Sequence, residues 1–268
     1  MSLLVFSHAN SFPASTYAVL FKSLRARGFT VKAVDRYGHD PKYPVTDNWP
    51  HLVQQLHDFA AREVDKAGAP AWLVGHSLGG FLSLMCAARH PQLARGVLLI
   101  DSPILGGWKA RALRAAKATQ LVGSISPGAV SRKRKHRWPD ADAAFEHFRH
   151  KKAFARWDEQ VLRDYIDHGT VDDEDGQRVL AFDRDIETAI YNTLPDHLDR
   201  LLARHPLKCP VAFLGGLQSQ EMRQVGMAMT EKLTGRIMLM DGSHLFPMEK
   251  PIATAAAIEA SLRGMDTR

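Results

Sequence analysis

The chain has 268 residues, of which 45% are hydrophobic and 24% charged, and its formal net charge is +6 at pH 7. This composition is typical of a folded protein and excludes a mainly disordered one. No apolar run approaches the roughly 20 residues that a membrane-spanning helix needs, and the start of the chain lacks the basic segment and cleavage site of a signal peptide. These features predict a cytoplasmic protein without a membrane span.

Short apolar runs alternate with amphipathic stretches along most of the chain. The runs are residues 3–6, 30–34, 71–74, 96–100, 211–214 and 237–240. The stretches between them, such as 17–27, 49–66 and 221–233, have the apolar spacing of helices. Because uniformly apolar strands are typical of a sheet that is buried on both faces, the pattern predicts an α/β fold with a parallel sheet covered by helices.

The segment Gly75-His76-Ser77-Leu78-Gly79 joins an apolar run to a long apolar helix pattern. A serine hydroxyl is a poor nucleophile, so an enzyme must expose it, give it a base and stabilise the oxyanion. A sharp turn between strand and helix exposes such a serine, and its crowding requires small residues two positions before and after it. We therefore expect Ser77 to be a nucleophile and the Leu78 backbone N–H, at the helix start, to be an oxyanion donor.

The alternation of runs stops in residues 105–195, which have helical patterns and no convincing strand. This length between two strands of one sheet predicts a helical cap, with residues 1–104 and 196–268 forming the core. Because ligand clefts are mostly apolar, we expect the cap tryptophans Trp108, Trp138 and Trp157 to bind substrate, and the alternative is that they pack only within the cap.

A basic run, residues 131–138, lies in the same segment. Such a run is usually a solvated face, and a site for an anionic substrate tail is the alternative. No nucleic-acid-binding module accompanies it, so a nucleic-acid partner is not expected.

The turn around Ser77 resembles the nucleophile turn of the α/β-hydrolase family, and the resemblance covers nearly all of the chain outside the predicted cap. Four more segments carry it: 6–13 (FSHANSFP), 34–40 (VDRYGHD), 98–103 (LLIDSP) and 240–247 (MDGSHLFP). The resemblance implies a mostly parallel sheet of about six strands, since the chain starts at the third strand of the full family sheet. The chain departs from the family at Ala9, where glycine is usual, and at Ser219, where an aspartate is expected.

The base and the second oxyanion donor follow from this resemblance. His244 comes after the last predicted strand, at the same sheet edge as Ser77, and corresponds to the family's catalytic histidine. The second oxyanion N–H is expected at Asn10, the second residue after His8, with Ser11 as the alternative. His8 itself is interpreted as a residue that braces the loop.

The acid that orients His244 is left open between two carboxylates. Asp101 ends the strand after Ser77, and some family members take their acid from that position. Glu221 lies two residues after Ser219, and its longer side chain could reach back. We favour Asp101.

These residues predict a serine hydrolase in which Ser77 attacks an acyl carbon and His244 transfers the proton. A small-molecule carboxylic ester is the expected substrate, with a thioester as the nearest alternative. A carbon–carbon bond hydrolase, a cofactor-free peroxidase and a non-catalytic small-molecule receptor of the same fold stay open. No cofactor is expected, and no metal, since Cys86 and Cys209 lack metal-ligand spacing.

Overall fold

The computed structural model of the protein describes residues 2–118 and 128–266. Its main sheet contains six of the strands. Numbered along the chain, the strands are β1 (Ser2–Ser7), β2 (Phe29–Ala33), β3 (Ala71–His76), β4 (Ala94–Ile100), β5 (Arg137–Trp138), β6 (Thr170–Asp172), β7 (Arg178–Leu180), β8 (Val211–Gly216) and β9 (Arg236–Met240). The main sheet has the order β2-β1-β3-β4-β8-β9, and every neighbouring pair is parallel. The predicted α/β fold and its parallel sheet are confirmed.

Helices surround this sheet and fill the connections between its strands. The α-helices of the described residues are α1 (Ala18–Ala26), α2 (Pro50–Ala67), α3 (Leu78–Arg89), α4 (Gly107–Ala118), α5 (Gly128–Ser131), α6 (Ala141–Arg149), α7 (Glu159–Gly169), α8 (Arg184–Asn192), α9 (Leu198–Arg204), α10 (Gln220–Val225), α11 (Ala228–Leu233), α12 (Phe246–Glu249) and α13 (Pro251–Asp266). Short 3-10 helices cover Ala14–Tyr17 and Pro91–Leu93. None of the helices in these described ranges is long and apolar enough to cross a membrane.

Two hydrophobic cores lie on opposite faces of the sheet, and strand β1 shows why its sequence is apolar throughout. Leu4 and Phe6 belong to one core, together with residues of α1 and α13. Leu3 and Val5 belong to the other core, together with residues of α2 and α3. Successive side chains of a strand point to opposite faces, so a strand covered by helices on both sides needs apolar residues at every position.

A long insertion, residues 105–195, separates the neighbouring strands β4 and β8. The prediction that it lacks strands is wrong, because β5, β7 and β6 form a small antiparallel sheet in that order. Strands β6 and β7 are joined by a turn in which Asp173 Oδ1 accepts hydrogen bonds from the backbone N–H groups of Asp175 and Gln177. Strands of two or three residues are too short to give a period-two pattern.

The insertion packs over the carboxyl ends of the main strands. The Trp157 ring lies 5.4 Å from the ring of Phe12, which follows β1. The Asp158 backbone N–H donates to the Met248 carbonyl, which follows β9, at 3.0 Å. The insertion therefore contacts the loops that follow β1 and β9, at the sheet edge where the predicted site residues lie.

Candidate active site

Three side chains from separate strand ends meet at the carboxyl edge of the sheet. Ser77 follows β3, Asp101 follows β4 and His244 lies in the loop after β9. Ser77 Oγ is 3.0 Å from His244 Nε2, and His244 Nδ1 is 2.6 Å from Asp101 Oδ2. Because a carboxylate only accepts hydrogen bonds, Nδ1 carries the proton and Nε2 is free to accept from Ser77. This arrangement can take a proton from the serine hydroxyl.

The turn that presents Ser77 is strained and crowded. Ser77 has φ 52° and ψ −115°, in the left-handed half of backbone space that residues with a side chain rarely adopt. A Cβ on Gly75 would lie 2.1 Å from the Gly79 carbonyl carbon, and a Cβ on Gly79 would lie 2.0 Å from the Ser7 carbonyl oxygen. The two glycines are thus required for different reasons: Gly75 lets the turn close, and Gly79 lets α3 approach β1.

Asp101 is held by several hydrogen bonds in addition to the one from His244. Its side chain is buried, its Oδ1 accepts from the Gly216 backbone N–H at 2.8 Å, and its Oδ2 accepts from Ser219 Oγ at 2.6 Å. Ser219, which stands where the family usually has an aspartate, donates to Asp101. These contacts hold the carboxylate at hydrogen-bond distance from His244.

Glu221 is a second carboxylate near His244, at a longer distance. Its Oε2 lies 3.7 Å from His244 Nδ1, and 46% of its side chain is exposed. Asp101, Glu221 and His244 form a group whose possible metal-ligand atoms lie within 4.8 Å of one another among the described residues. The hydrogen bonds to Asp101 account for the arrangement without an ion.

The protonation of His244 depends on these neighbours. Burial lowers its pKa, but the hydrogen bond to Asp101 and the negative charges of Glu221 and Asp101 raise it, and the net result is a pKa above the ordinary value. A raised pKa is what two carboxylates beside an imidazole produce, because they stabilise the charged form. His244 is therefore suited to hold a proton between two steps of a reaction.

His76, beside Ser77 in the sequence, supports the His244 loop. Its Nε2–H donates to the His244 carbonyl at 2.9 Å, and its Nδ1 accepts from the Tyr17 hydroxyl at 2.7 Å. The Tyr17 oxygen in turn accepts from the Ala9 backbone N–H at 3.0 Å. Burial and the proximity of His244 keep the pKa of His76 well below its ordinary value, so it stays neutral. Sequence reasoning missed Tyr17, which has no local motif.

Residues 9–12, here named the 9–12 loop, lie between β1 and the first 3-10 helix, beside the Ser77 turn. His8 braces this loop, because its Nε2 accepts from the Tyr37 backbone N–H at 3.1 Å while its Nδ1–H donates to the Ala9 carbonyl. Burial lowers the pKa of His8 to about 4. A histidine that is neutral and bonded on both ring nitrogens is not available as a base.

The two residues considered as oxyanion donors in this loop differ in their backbone N–H groups. The Ser11 N–H donates to Asn10 Oδ1 at 3.1 Å. The Asn10 N–H has no acceptor among the residues that the structure describes. Leu78 is the first residue of α3, so its N–H has no acceptor within the helix. The backbone N–H groups of Asn10 and Leu78 are thus available to donate hydrogen bonds to a ligand.

The loop is also bonded to the insertion through a residue that the sequence did not single out. Ser11 Oγ donates to Glu187 Oε1 at 2.5 Å, and Asn10 Nδ2 donates to the Glu187 carbonyl at 3.1 Å. Arg134 Nη1 pairs with the Glu187 carboxylate at 2.9 Å. No sequence signal distinguishes Glu187 from the other carboxylates of the insertion.

The basic run 131–138 is only partly a solvated face. Arg132, Lys133, Lys135 and Arg137 are exposed, as expected. Arg134 instead points inward, to Glu187 and to the Tyr165 hydroxyl at 3.0 Å, so the expectation is wrong for this residue. Arg134 can point inward because the buried Glu187 carboxylate provides a partner of opposite charge.

The three tryptophans of the insertion lie in different surroundings. Trp157 is buried and packs against Phe12 of the 9–12 loop. Trp138 is buried against His147 and Phe148, which also belong to the insertion. Trp108, near the start of α4, is 68% exposed. Of the three, the structure brings Trp157 to the 9–12 loop.

Comparisons with known proteins agree with this architecture. A sequence model described as the alpha/beta hydrolase family matches residues 4–257. A serine hydrolase-like protein of Dictyostelium discoideum is 24% identical over 272 residues, which cover 90% of this chain and 69% of that protein. Monoglyceride lipase of Homo sapiens is 27% identical over 130 residues, which cover 47% of this chain and 43% of the lipase, so the match spans less than half of the lipase.

A solved structure is similar to nearly the whole chain. The crystal structure of E-2-(acetamidomethylene)succinate hydrolase aligns with a TM-score of 0.69 and 24% sequence identity, over 98% of this chain and 91% of that one. At this level of identity the likeness shows a shared fold.

Proposed function

Because the chain belongs to the alpha/beta hydrolase family, we propose that it is a serine hydrolase that cleaves carboxylic esters of small molecules. The observation that carries the proposal is the line of hydrogen bonds from Ser77 through His244 to Asp101. A buried carboxylate, an imidazole and a serine hydroxyl in this order are the parts that acyl transfer through a serine requires.

In the proposed reaction Ser77 Oγ attacks the ester carbonyl carbon and His244 Nε2 takes the hydroxyl proton. The tetrahedral intermediate collapses, the bond to the alkoxy oxygen breaks, and His244 gives its proton to the departing alcohol. Water then attacks the acyl-enzyme with His244 as the base, and the acid leaves as Ser77 regains its proton. Asp101 holds the imidazole in the required tautomer and stabilises its charged form.

We propose that the oxyanion is bound by the backbone N–H groups of Leu78 and Asn10. The Leu78 N–H belongs to the first turn of α3, where the helix dipole also favours negative charge. Asn10 is preferred over Ser11 because the Ser11 N–H already donates to Asn10 Oδ1. Two such donors stabilise charge that develops only as the bond to Ser77 forms.

We also propose that residues 105–195 act as a cap over a core of residues 1–104 and 196–268, and that the cap contributes to substrate binding. Trp157 is the preferred substrate contact among the three tryptophans. It packs on the 9–12 loop. Its buried indole Nε1, like that of Trp138, has no hydrogen-bond partner among the described residues, so the contact with the loop is what distinguishes it. Trp138 and Trp108 rank behind it, because one packs within the insertion and the other is exposed.

A thioester is the second candidate substrate, since its carbonyl carbon is attacked in the same way. The exposed cations Arg132, Lys133 and Lys135 give an anionic acyl carrier a surface to approach. Comparing p-nitrophenyl esters with acyl-coenzyme A thioesters of the same acyl chain separates the two candidates, and kcat/KM decides between them.

The proposal is tested by labelling and turnover together. A fluorophosphonate probe should form one adduct, located on Ser77 by mass spectrometry of the digested protein. Ser77→Ala should keep the melting temperature, because alanine fits the same turn, and should lower hydrolysis of p-nitrophenyl acetate by about 10⁴-fold or more. Absence of an adduct together with unchanged turnover in Ser77→Ala would contradict the covalent mechanism and favour the receptor.

A further inference from the structure

The 9–12 loop contains a backbone conformation that its own residues do not favour. Ser11 has φ 78°, in the left-handed region, although it is not glycine. Such a conformation is unfavourable for a residue with a side chain and persists only where its surroundings hold it. The neighbouring Asn10 depends on the same conformation, because its side chain accepts from the Ser11 N–H. Something outside the loop must therefore fix it.

Among the contacts from the insertion to Asn10 and Ser11, the hydrogen bonds to Glu187 hold both residues, and Tyr191, also on α8, bonds the Ser11 side chain. The Glu187 carboxylate accepts from Ser11 Oγ at 2.5 Å, and the Glu187 carbonyl accepts from Asn10 Nδ2 at 3.1 Å. Two consecutive loop residues are thus bonded to two different atoms of Glu187. This geometry fixes the position of the loop and also its rotation relative to α8.

Glu187 is buried, and a buried carboxylate is unfavourable without a partner of opposite charge. Arg134 supplies that partner through contacts of 2.9 and 3.1 Å to the two carboxylate oxygens. The end of α5 is tied to α8 by the Ser131 and Thr188 hydroxyls, which are 2.7 Å apart, and this brings Arg134 to Glu187. Both members of the ion pair therefore come from the insertion.

We propose that Glu187 is a positioning residue for the oxyanion site: through Ser11 it orients the Asn10 N–H toward the substrate carbonyl. This inference rests on the proposed esterase function and adds a role for the insertion besides substrate binding. The ion pair between Arg134 and Glu187 forms only when α5 and α8 are in place. The oxyanion site is therefore formed only when the insertion is docked on the core.

The first test uses Glu187→Gln, Ser11→Ala and a matched control, Asp173→Asn. Asp173 is also a carboxylate of the insertion paired with an arginine, Arg137, at 2.9 Å, and its side chain contacts its own turn rather than the 9–12 loop. With p-nitrophenyl acetate, Glu187→Gln and Ser11→Ala should lower kcat by about 10-fold to 100-fold with little change in KM, since removal of a full oxyanion donor costs about 100-fold to 1000-fold. Asp173→Asn should keep wild-type kcat.

The second test separates positioning from general stability. An aryl trifluoromethyl ketone forms a tetrahedral oxyanion on the serine, so its inhibition constant should rise in Glu187→Gln and Ser11→Ala by the same factor by which kcat/KM falls. The double variant should be as active as the less active single variant, because both changes act on one contact. Ser11→Ala removes its donor, and Glu187→Gln removes the carboxylate that Arg134 holds against it. A loss of stability alone would lower the amount of active enzyme and leave the inhibition constant of the remainder unchanged.

The outcomes distinguish failure of this inference from failure of the proposed function. If the wild type neither hydrolyses esters nor reacts with the fluorophosphonate, the proposed function is wrong. If the wild type is active and both variants keep kcat and the inhibition constant within about twofold of the control, Glu187 does not position the loop. If Glu187→Gln does not fold, Ser11→Ala alone decides, since it removes a single hydroxyl.

Discussion

Asp101 occupies a backbone position that few residues tolerate. Its φ is 46°, and aspartate and asparagine are among the residues that adopt this left-handed conformation most readily. The conformation turns the side chain from the end of β4 toward His244, with the Gly216 N–H and Ser219 holding its two oxygens. Asparagine can therefore replace Asp101 with the backbone unchanged, which makes this exchange an informative one.

Asp101→Asn should lower kcat for ester hydrolysis by about 10⁴-fold while the protein stays folded. The amide nitrogen of asparagine would donate to His244 Nδ1, so Nε2 would carry the proton and could no longer accept from Ser77. Steady-state kinetics with p-nitrophenyl acetate measure the loss, and circular dichroism checks the fold. A loss smaller than that of Glu221→Gln would transfer the acid's role to Glu221.

Glu221 should instead act on the pH dependence. Its charge helps to raise the pKa of His244, so Glu221→Gln should lower that pKa. The proposed reaction needs neutral His244, whose fraction grows as pH rises through the pKa. The acidic limb of the kcat/KM profile should therefore move to lower pH in Glu221→Gln, and the rate at high pH should stay near wild type. A limb that does not move, or that moves to higher pH, would contradict this role.

At the residue scale, the sequence predicts positions for which a local motif exists. The glycines around Ser77 mark the turn, and the segment at His244 resembles the family's histidine loop. The choice between Asp101 and Glu221 has no local signal, because it depends on where the ends of β4 and β8 lie relative to each other. Glu187 could not be found for the same reason, since its partner Ser11 is 176 residues away in the chain.

At the scale of single elements, the junction of β3 and α3 depends on backbone contacts without side chains between them. Gly75 faces the Gly79 backbone, and a Cβ there would lie 2.1 Å from a carbonyl carbon that cannot move without shifting α3. The junction therefore sets the distance between the helix start and the sheet.

Gly75→Ala should destabilise the protein by more than the ~1–3 kcal/mol that is typical of an overpacked core, because the collision is with backbone. Gly264→Ala on α13 is the matched control: its Cβ would meet the guanidinium end of Arg236, a flexible side chain that can move aside. Chemical unfolding of the two variants measures the difference. Equal stabilities would show that the turn can widen at little cost.

The main strands are predictable for a physical reason that the insertion does not share. A strand such as β1, buried on both faces, needs an unbroken apolar run, and such runs mark β1, β3, β4 and β8. Strands β5, β6 and β7 have two or three residues each, and β6 contains exposed Val171 and Asp172. Their pairing comes from the turn at Asp173 and the packing of the helices around them.

On the scale of the whole molecule, two ion pairs connect α4, near the start of the insertion, to Asp196, which lies just before α9. The Asp196 side chain accepts from Arg114 at 3.1 Å and from Lys117 at 2.8 Å, and both cations lie on α4. Burial raises the pKa of Asp196, but the two cations lower it more, so the folded protein holds this pKa below its ordinary value.

Asp196→Asn should change how stability depends on pH. A carboxylate whose pKa is lower in the folded state stabilises the fold above its unfolded pKa of about 4, and this contribution disappears as pH falls through the folded pKa. The variant should therefore melt at a lower temperature than wild type at pH 7. The difference between the two melting temperatures should become smaller as the pH is lowered toward 3. Asp167→Asn, which changes an exposed carboxylate of α7, should keep the wild-type profile.

The sheet order also fixes a sequence of assembly. Strands β1 to β4 lie within the first 100 residues and pair with one another, whereas β8 can join β4 only after the chain between them, residues 101–210, has been made. His244 comes later still. Pairing across so long a stretch of chain is slow compared with local contacts, so the contact between Ser77 and His244 forms only when the last third of the protein docks. Under the proposed function, the rate at which a fluorophosphonate labels Ser77 in the refolding chain therefore reports the docking of β8 and β9, and Ser77 stays unreactive until that moment.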